Sequence, residues 1–273
     1  MTRFIVVPQW QGSPAARAML LVDGAEAIAG DLPRSACTSV EVPQEAGDAL
    51  GTGVRRLSAV LSTAEATRAA LEQHADEQVV LVGGDCSVGL AGIAAALAQH
   101  PDLAVVWCDA HGDLHTPETS PSGAAGGMAL RAAIGHGEAQ LALSPAVPVE
   151  RIVVVGARDL EDAESDFAAE AGLRMLPAEA LDDAEVLAEA VAATGASAVY
   201  VHLDLDVLDP SAMGGITSAV PFGADPAQLV AALARLRARV PLVGATIAGF
   251  APSSPAAAVD DLGAILRLVG AVA

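Results

Sequence analysis

A chain of 273 residues with a net charge of −20 is long enough to bury a core and too acidic to favour nucleic acid or an anionic membrane surface as a partner. Hydrophobic residues make up 53% of the chain but aromatic residues only 3%, so the core must consist of Ala, Val, Leu and Ile. The three cysteines, Cys37, Cys86 and Cys108, lack C-x-x-C spacing and favour a reducing cytoplasm over a disulfide framework.

Short β-branched runs alternate along the chain with longer Ala- and Leu-rich stretches of helical period. The predicted strands are residues 4–7, 79–82, 104–108, 151–155, 198–205 and 243–247. The predicted helices are residues 64–73, 88–99, 178–193, 226–238 and 259–269. This alternation predicts βα units around a mostly parallel sheet that is buried on both faces. We expect residues 1–273 to form one domain, without a signal peptide or a membrane-spanning run of about 18 apolar residues.

Residue types that bind metals are concentrated after three of the predicted strands, where ligands bind in open α/β sheets. A glycine pair turns the chain after the first of these strands. A lone histidine on a strand, such as His202, is more often a core residue than a ligand. The three segments are Gly83-Gly84-Asp85-Cys86-Ser87, Asp109-Ala110-His111-Gly112-Asp113-Leu114-His115 and His202-Leu203-Asp204-Leu205-Asp206.

The spacing within these segments places ligand side chains together. Asp109, His111 and Asp113 lie two residues apart, so they point to the same side of an extended segment. Asp204 and Asp206 repeat this spacing. Carboxylates gathered in one pocket would repel one another unless cations neutralised them. Oxygen ligands with an imidazole suit Mn²⁺ or a similar divalent ion, and bridging carboxylates suit a pair of ions.

In this order the three segments resemble the three-motif signature of the ureohydrolases, the family of arginases, agmatinases and formiminoglutamases. Residues 116–123 also resemble the arginase loop after the second motif, and the resemblance covers nearly the whole chain. It implies a three-layer α/β/α fold with a mainly parallel sheet of about eight strands. It also implies hydrolysis of a small-molecule guanidine substrate, with a trimer or hexamer as the possible homo-oligomer.

The resemblance further implies two Mn²⁺ ions per subunit and a role for each matching residue. The first ion would be held by Cys86, Asp109, Asp113 and Asp204, and the second by Asp109, His111, Asp204 and Asp206. Asp113 and His115 would be catalytic.

The resemblance also places the amino-acid end of the substrate. His115, Ser120 and Ser122 would bind the α-carboxylate, and Glu161 would face the α-amino group. His115 replaces an Asn of the family pattern, so it either assists proton transfer or is an exposed loop histidine.

Three further positions depart from the arginase pattern. Cys86 replaces a His, and because thiolate is a softer ligand that prefers other ions to Mn²⁺, the first ion should bind less well, unless the thiol is only a small buried side chain. Gly126 replaces a His proposed as a proton shuttle. Gly249 replaces a Glu that faces the guanidinium, which removes a charge-assisted bond to a cationic substrate.

These departures favour a less basic substrate than arginine. An N-hydroxyguanidine is easier to present neutral, and restoring Glu at position 249 should then shift preference toward arginine. A Cys in the first motif is similar to family members that convert Nω-hydroxy-L-arginine to hydroxyurea and L-ornithine in D-cycloserine biosynthesis.

Other functions remain open. One is an arginase or an agmatinase, although the missing Glu at position 249 counts against both. Another is an inactive metal-binding homologue with a regulatory role. A nucleotide-binding Rossmann domain is excluded because no G-x-G-x-x-G follows the first strand.

Overall fold

Eight parallel strands form a single sheet in a computed structural model that describes residues 2–273. Their order across the sheet is β2-β1-β3-β8-β7-β4-β5-β6. The strands are β1 (Thr2–Val6), β2 (Cys37–Ser39), β3 (Gln78–Val82), β4 (Ala104–Cys108), β5 (Ile152–Val155), β6 (Arg174–Leu176), β7 (Val199–Asp204) and β8 (Leu242–Ala248). Because every pairing is parallel, all the carboxyl ends lie along one edge of the sheet.

Helices cover both faces of this sheet. They are α1 (Leu20–Gly30), α2 (Leu57–Glu72), α3 (Gly89–Gln99), α4 (Ala129–Ala133), α5 (Asp162–Ala171), α6 (Val186–Ala192), α7 (Pro226–Arg239) and α8 (Pro255–Val272). One core cluster joins the sheet to α1, α6, α7 and α8. A second joins it to α2, α3, α4 and α5. The predicted three-layer α/β/α fold is therefore confirmed.

The strands are continuous apolar runs because both of their faces are buried. In β5, Val153 and Val155 belong to the first core cluster, whereas Ile152 and Val154 belong to the second. Side chains alternate between the faces of a strand, so a strand covered on both sides needs apolar residues at every position. This pattern made the central strands predictable.

The peripheral elements differ from the prediction. The short edge strands β2 and β6 and the helices α1, α4 and α5 were not predicted. The helix predicted at 178–193 is interrupted, since residues 178–182 form a tighter 3₁₀ turn before α6, and α2 begins seven residues before its predicted start. No helix within residues 2–273 has the length and apolar character needed to cross a bilayer. The assignment of residues 1–273 to one domain stays a prediction.

Candidate metal centre

Four neighbouring strands, β3, β8, β7 and β4, bring the three motifs to one place at the carboxyl edge of the sheet. Asp109 directly follows β4, and Asp204 is the last residue of β7. After β3, Gly83 and Gly84 have φ values of +98° and +79°, a backbone region in which glycine avoids the strain of a Cβ atom. This turn places Cys86 beside the two carboxylates.

Asp109 lies at the middle of the cluster and is fully buried. Its Oδ1 atom lies 3.2 Å from Nδ1 of His111, and that nitrogen lies 3.1 Å from Oδ2 of Asp206. On the other side, Oδ2 of Asp109 lies 3.6 Å from the Sγ atom of Cys86, which also donates to Oδ2 of Asp204 at 3.0 Å. The structure thus brings Cys86, His111 and three predicted carboxylate ligands into contact.

Backbone groups hold these carboxylates in place. Oδ1 of Asp204 accepts a hydrogen bond of 2.9 Å from the backbone N–H of Asp206. Oδ1 of Asp206 accepts one of 3.0 Å from the N–H of Ala110. Asp113 has an unusual positive φ of 52°, and its buried Oδ2 atom has no hydrogen-bond partner among the described residues. Backbone N–H groups therefore fix one carboxylate oxygen of Asp204 and one of Asp206. Within residues 2–273, the Oδ2 atom of Asp113 has no such hydrogen bond.

Crowding of buried acids changes their protonation when no cation is present. Burial and the charge of Asp206 raise the pKa of Asp204 to about 7. Burial and the charge of Asp109 raise the pKa of Asp206 to about 6, and the same two causes raise the pKa of Asp113 well above its usual range. Burial opposes the charging of His111, but its hydrogen bonds to Asp109 and Asp206 outweigh burial and raise its pKa to about 12. The pocket as a whole requires positive charge.

The residues present fit divalent cations. Ligand atoms of Asp109, His111 and Asp206 all lie within 4.8 Å of one another, and so do those of Cys86, Asp109 and His202. The two groups share Asp109, as a bridging carboxylate requires. A cation would also give the unpaired oxygen of Asp113 a partner and remove the repulsion that raises the carboxyl pKa values.

The metal-free protein should lose stability as pH rises from about 6 to about 8. The unfolded chain releases the protons of Asp204 and Asp206 near pH 3.8, whereas the folded chain keeps them up to pKa values of about 7 and 6. Folded His111 likewise keeps its proton above the unfolded pKa of 6.5. Stability falls with pH wherever the folded state binds more protons, so all three groups lower it. Burial lowers the pKa of His202 to about 3, so this group acts in the opposite direction, but only up to about its unfolded pKa of 6.5.

Thermal unfolding after chelator treatment and dialysis measures this effect. We expect a lower unfolding midpoint at pH 8 than at pH 6, and a larger rise on adding Mn²⁺ at pH 8, because the ion replaces protons. A metal-free midpoint that is higher at pH 8 would contradict the assignment of these raised pKa values.

A cavity of about 430 Å³ opens onto this centre. Cys86 and His111 line its metal side, and His115, Ser122 and Glu161 line its outer part. Ser120 does not line the cavity: its Oγ atom lies 3.4 Å behind that of Ser122 and accepts a hydrogen bond from the N–H of Gly123. The prediction that Ser120 contacts substrate directly therefore lacks support from the geometry.

His115 is buried rather than an exposed loop residue. Its Nε2 atom lies 3.7 Å from Oε2 of Glu161 and 3.6 Å from Oε2 of Glu164. The sequence analysis did not identify Glu164, whose Oε1 accepts from the N–H of Leu114 at 3.0 Å. Glu164 also forms a reciprocal capping box with Glu161 at the start of α5, and the Glu-x-x-Glu spacing was the signal that could have revealed it.

Gly249 follows β8 and touches the metal centre. Its φ is +83°, and a Cβ atom built on it would lie 2.1 Å from Oδ1 of Asp204. A side chain at this position requires Asp204 to move. Substituting Glu at position 249 should therefore shift Asp204 as well as substrate preference, and the expected shift toward arginine stays a prediction.

Comparison with known proteins places these features in a family. A family model described as the Arginase family matches residues 25–265. The N(omega)-hydroxy-L-arginine amidinohydrolase of Streptomyces lavendulae is 35% identical over 225 residues, which cover 78% of this chain and 77% of that protein. The arginase of Bacillus caldovelox is 34% identical over 205 residues, covering 71% and 67% of the two chains.

The fold has close solved counterparts. Entamoeba histolytica arginase in complex with L-ornithine has a TM-score of 0.85 and 23% sequence identity, and the match covers 98% of each chain. At this identity the likeness concerns the fold alone.

Proposed function

Because this chain belongs to the arginase family of amidinohydrolases, which hydrolyse guanidino C–N bonds at binuclear metal centres, we propose that its substrate is Nω-hydroxy-L-arginine. Water would cleave the bond between the guanidine carbon and Nε, the nitrogen bonded to Cδ. The products would be hydroxyurea and L-ornithine, whose δ-amino group is the released nitrogen. The observation that carries this proposal is Gly249, which leaves no carboxylate at the guanidine end and lies against Asp204. Cys86 in the first motif is similar to the cysteine of family members that act in D-cycloserine biosynthesis, and we extend the proposal to that role.

The cluster at the strand ends supports an assignment of the metal ligands. We assign Cys86, Asp109, Asp113 and Asp204 to one divalent metal ion, and Asp109, His111, Asp204 and Asp206 to the other. When bound, such a pair lowers the pKa of the attacking water and stabilises charge that develops on the substrate. The N–H groups of Asp206 and Ala110 orient the carboxylates from behind, so little reorganisation is needed when ions bind.

The outer part of the cavity suits an amino-acid group. Ser122 and His115 line it and would hold the α-carboxylate, and Glu161 would face the α-amino group. Ser120 would act through Ser122, because their hydroxyl oxygens lie 3.4 Å apart. The cavity volume of about 430 Å³ is in the range of small-molecule sites and matches a substrate of this size.

The contacts of His115 support a role for it in proton transfer. Its Nε2 atom lies 3.7 Å from Oε2 of Glu161 and 3.6 Å from Oε2 of Glu164. Its Nδ1 atom lies 3.2 Å from the hydroxyl oxygen of Thr119, which fixes the ring. We therefore assign to His115 the delivery of a proton to the departing δ-amine of ornithine, a role that a glycine at position 126 cannot fill.

Substrate preference distinguishes this proposal from an arginase. A hydrogen bond to a charged group contributes about 1.5–3 kcal/mol, so the missing carboxylate should lower kcat/KM for arginine by about 10- to 100-fold relative to hydroxyarginine. The assay uses Mn²⁺-loaded protein and measures ornithine released from hydroxyarginine and arginine, and putrescine released from agmatine. Equal kcat/KM for arginine and hydroxyarginine would support an arginase, and no turnover by metal-loaded protein would support an inactive homologue.

A further inference from the structure

One buried imidazole near the metal centre has no partner that explains it. His202 lies in β7, is fully buried, and neither of its ring nitrogens has a hydrogen-bond partner among the described residues. The hydroxyl of the neighbouring Thr246 is already paired with that of Tyr200 at 2.7 Å. Buried polar groups are nearly always hydrogen-bonded, and an unsatisfied one costs about 1–3 kcal/mol. Both ring nitrogens of His202 are therefore available to bind a group other than the described residues.

The surroundings of His202 fix its ring beside the centre. The ring stacks on Trp107, with centroids 3.7 Å apart and planes inclined by 13°. On α3, Gly89 leaves the necessary room, since a Cβ atom there would lie 2.6 Å from Nδ1 of His202. A ligand atom of His202 lies within 4.8 Å of one of Cys86 and one of Asp109. The stacking and the close approach of Gly89 thus hold the unpaired imidazole with a ring nitrogen within 4.8 Å of a thiol and a carboxylate.

Building on the proposed metal centre, we propose that His202 is a ligand to the ion on the Cys86 side, and that this ion is Zn²⁺ or a similarly thiophilic metal rather than Mn²⁺. Zinc bonds are about 2.3 Å long to sulfur and about 2.0–2.1 Å long to nitrogen, so a sulfur and a nitrogen bound to one tetrahedral zinc lie about 3.5 Å apart. Ligand atoms within 4.8 Å of one another reach this spacing with small side-chain movements. Sulfur, nitrogen and oxygen together are a donor set typical of zinc.

The second group of ligands has a different preference. Asp109, His111 and Asp206 supply two oxygens and one nitrogen without sulfur, which suits Mn²⁺. The two groups of ligand atoms that share Asp109 therefore differ in chemical softness, because only one of them contains sulfur. His202 supplies an imidazole nitrogen on the side where Cys86 brings sulfur, so the centre is a mixed one, with a soft ion next to a hard one.

Metal content of matched variants tests this proposal. Stripped protein receives one equivalent of Zn²⁺ and a large excess of Mn²⁺, is dialysed, and is analysed by mass spectrometry for both metals. We expect one zinc and one manganese per chain in the native protein. His202→Gln should weaken zinc binding by at least about 10-fold and leave manganese bound, as loss of a ligand should exceed the 10- to 100-fold cost of outer-shell changes.

Tyr200→Phe is the matched control, because Tyr200 is buried in the same strand and on the same face but lies outside the ligand cluster. It should keep both metals. His202→Gly should regain zinc when free imidazole is added, which a merely structural role would not produce. Native zinc affinity in His202→Gln would overturn the proposal.

Native protein provides an independent measurement if the His202 variants do not fold. Zinc-edge X-ray absorption of the same mixed-metal sample should show sulfur and imidazole around one zinc ion, and a zinc shell without imidazole would overturn the proposal. The outcome is separable from the proposed function. Mixed-metal protein that does not hydrolyse hydroxyarginine would contradict the function alone, whereas active protein with zinc binding unaffected by His202→Gln would contradict the ligand assignment alone.

Discussion

Replacing Asp109 with Asn should reduce the affinity for both metal ions and the kcat for hydroxyarginine by at least about 100-fold. Asp109 is the carboxylate shared by the two ligand groups, so its loss weakens both sides of the centre at once. Changes to outer-shell partners of metal ligands already cost about 10- to 100-fold. The amide retains the size of the side chain but has one oxygen and no charge. Metal titration by calorimetry and steady-state kinetics measure the two effects.

Asp159→Asn is the control for loss of one negative charge near the same histidine. Its carboxylate lies 3.9 Å from Nε2 of His111, but its side chain is 64% exposed, so solvent screens it. This variant should change metal affinity by less than about 3-fold, since exposed pairs contribute at most about 1 kcal/mol. An Asp109→Asn protein that binds both ions normally would contradict the bridging assignment.

Gly249→Ala should also abolish most activity, although glycine itself has no functional group. The added methyl would lie 2.1 Å from Oδ1 of Asp204, so the carboxylate must rotate away and release the N–H of Asp206. We expect metal affinity and kcat to fall by about 100-fold or more, since a ligand is displaced rather than merely left without support. Metal content after dialysis, together with kcat, is the measurement.

Gly195→Ala is the control that distinguishes the effect of the contact with Asp204 from the effect of backbone strain alone. Gly195 has a similar φ of +72°, but a Cβ atom there meets nothing within 4 Å. Alanine in the left-handed region costs about 1–2 kcal/mol of stability, so both variants should unfold at a lower temperature. Only Gly249→Ala should lose metal. Equal metal content in the two variants would show that Asp204 tolerates the methyl group.

The central elements were predictable because one physical signal dominates them. Strands such as β4 and β5 are buried on both faces, so an apolar run fixes both their type and their position. The edge strands β2 and β6 have three residues each and are only half buried, which leaves no periodic pattern to read. Helix α1 begins at Leu20 without a capping side chain, so the sequence lacks the usual start signal.

The clustering of candidate metal ligands was predictable for a related reason. Asp109, His111 and Asp113 lie two residues apart, and on an extended segment this spacing predicts that their side chains point to the same side, whatever surrounds the segment. His202 could not be identified as a candidate ligand, because its importance depends on missing hydrogen bonds, which only coordinates reveal. Gly249 and Asp204 lie at the ends of two adjacent strands that are far apart in the sequence. Their contact therefore could not be predicted from the residues around either position.

The position of β8 in the sheet has a consequence for the newly made chain. This strand is the last to be synthesised, yet it lies between β3 and β7 near the middle of the sheet. In a chain that lacks β8, the strands β2-β1-β3 and β7-β4-β5-β6 would be separate half-sheets, each with an unpaired inner edge open to aggregation. Cys86 follows a strand of one half and Asp109 a strand of the other, so the candidate metal ligands depend on β8 to bring them together.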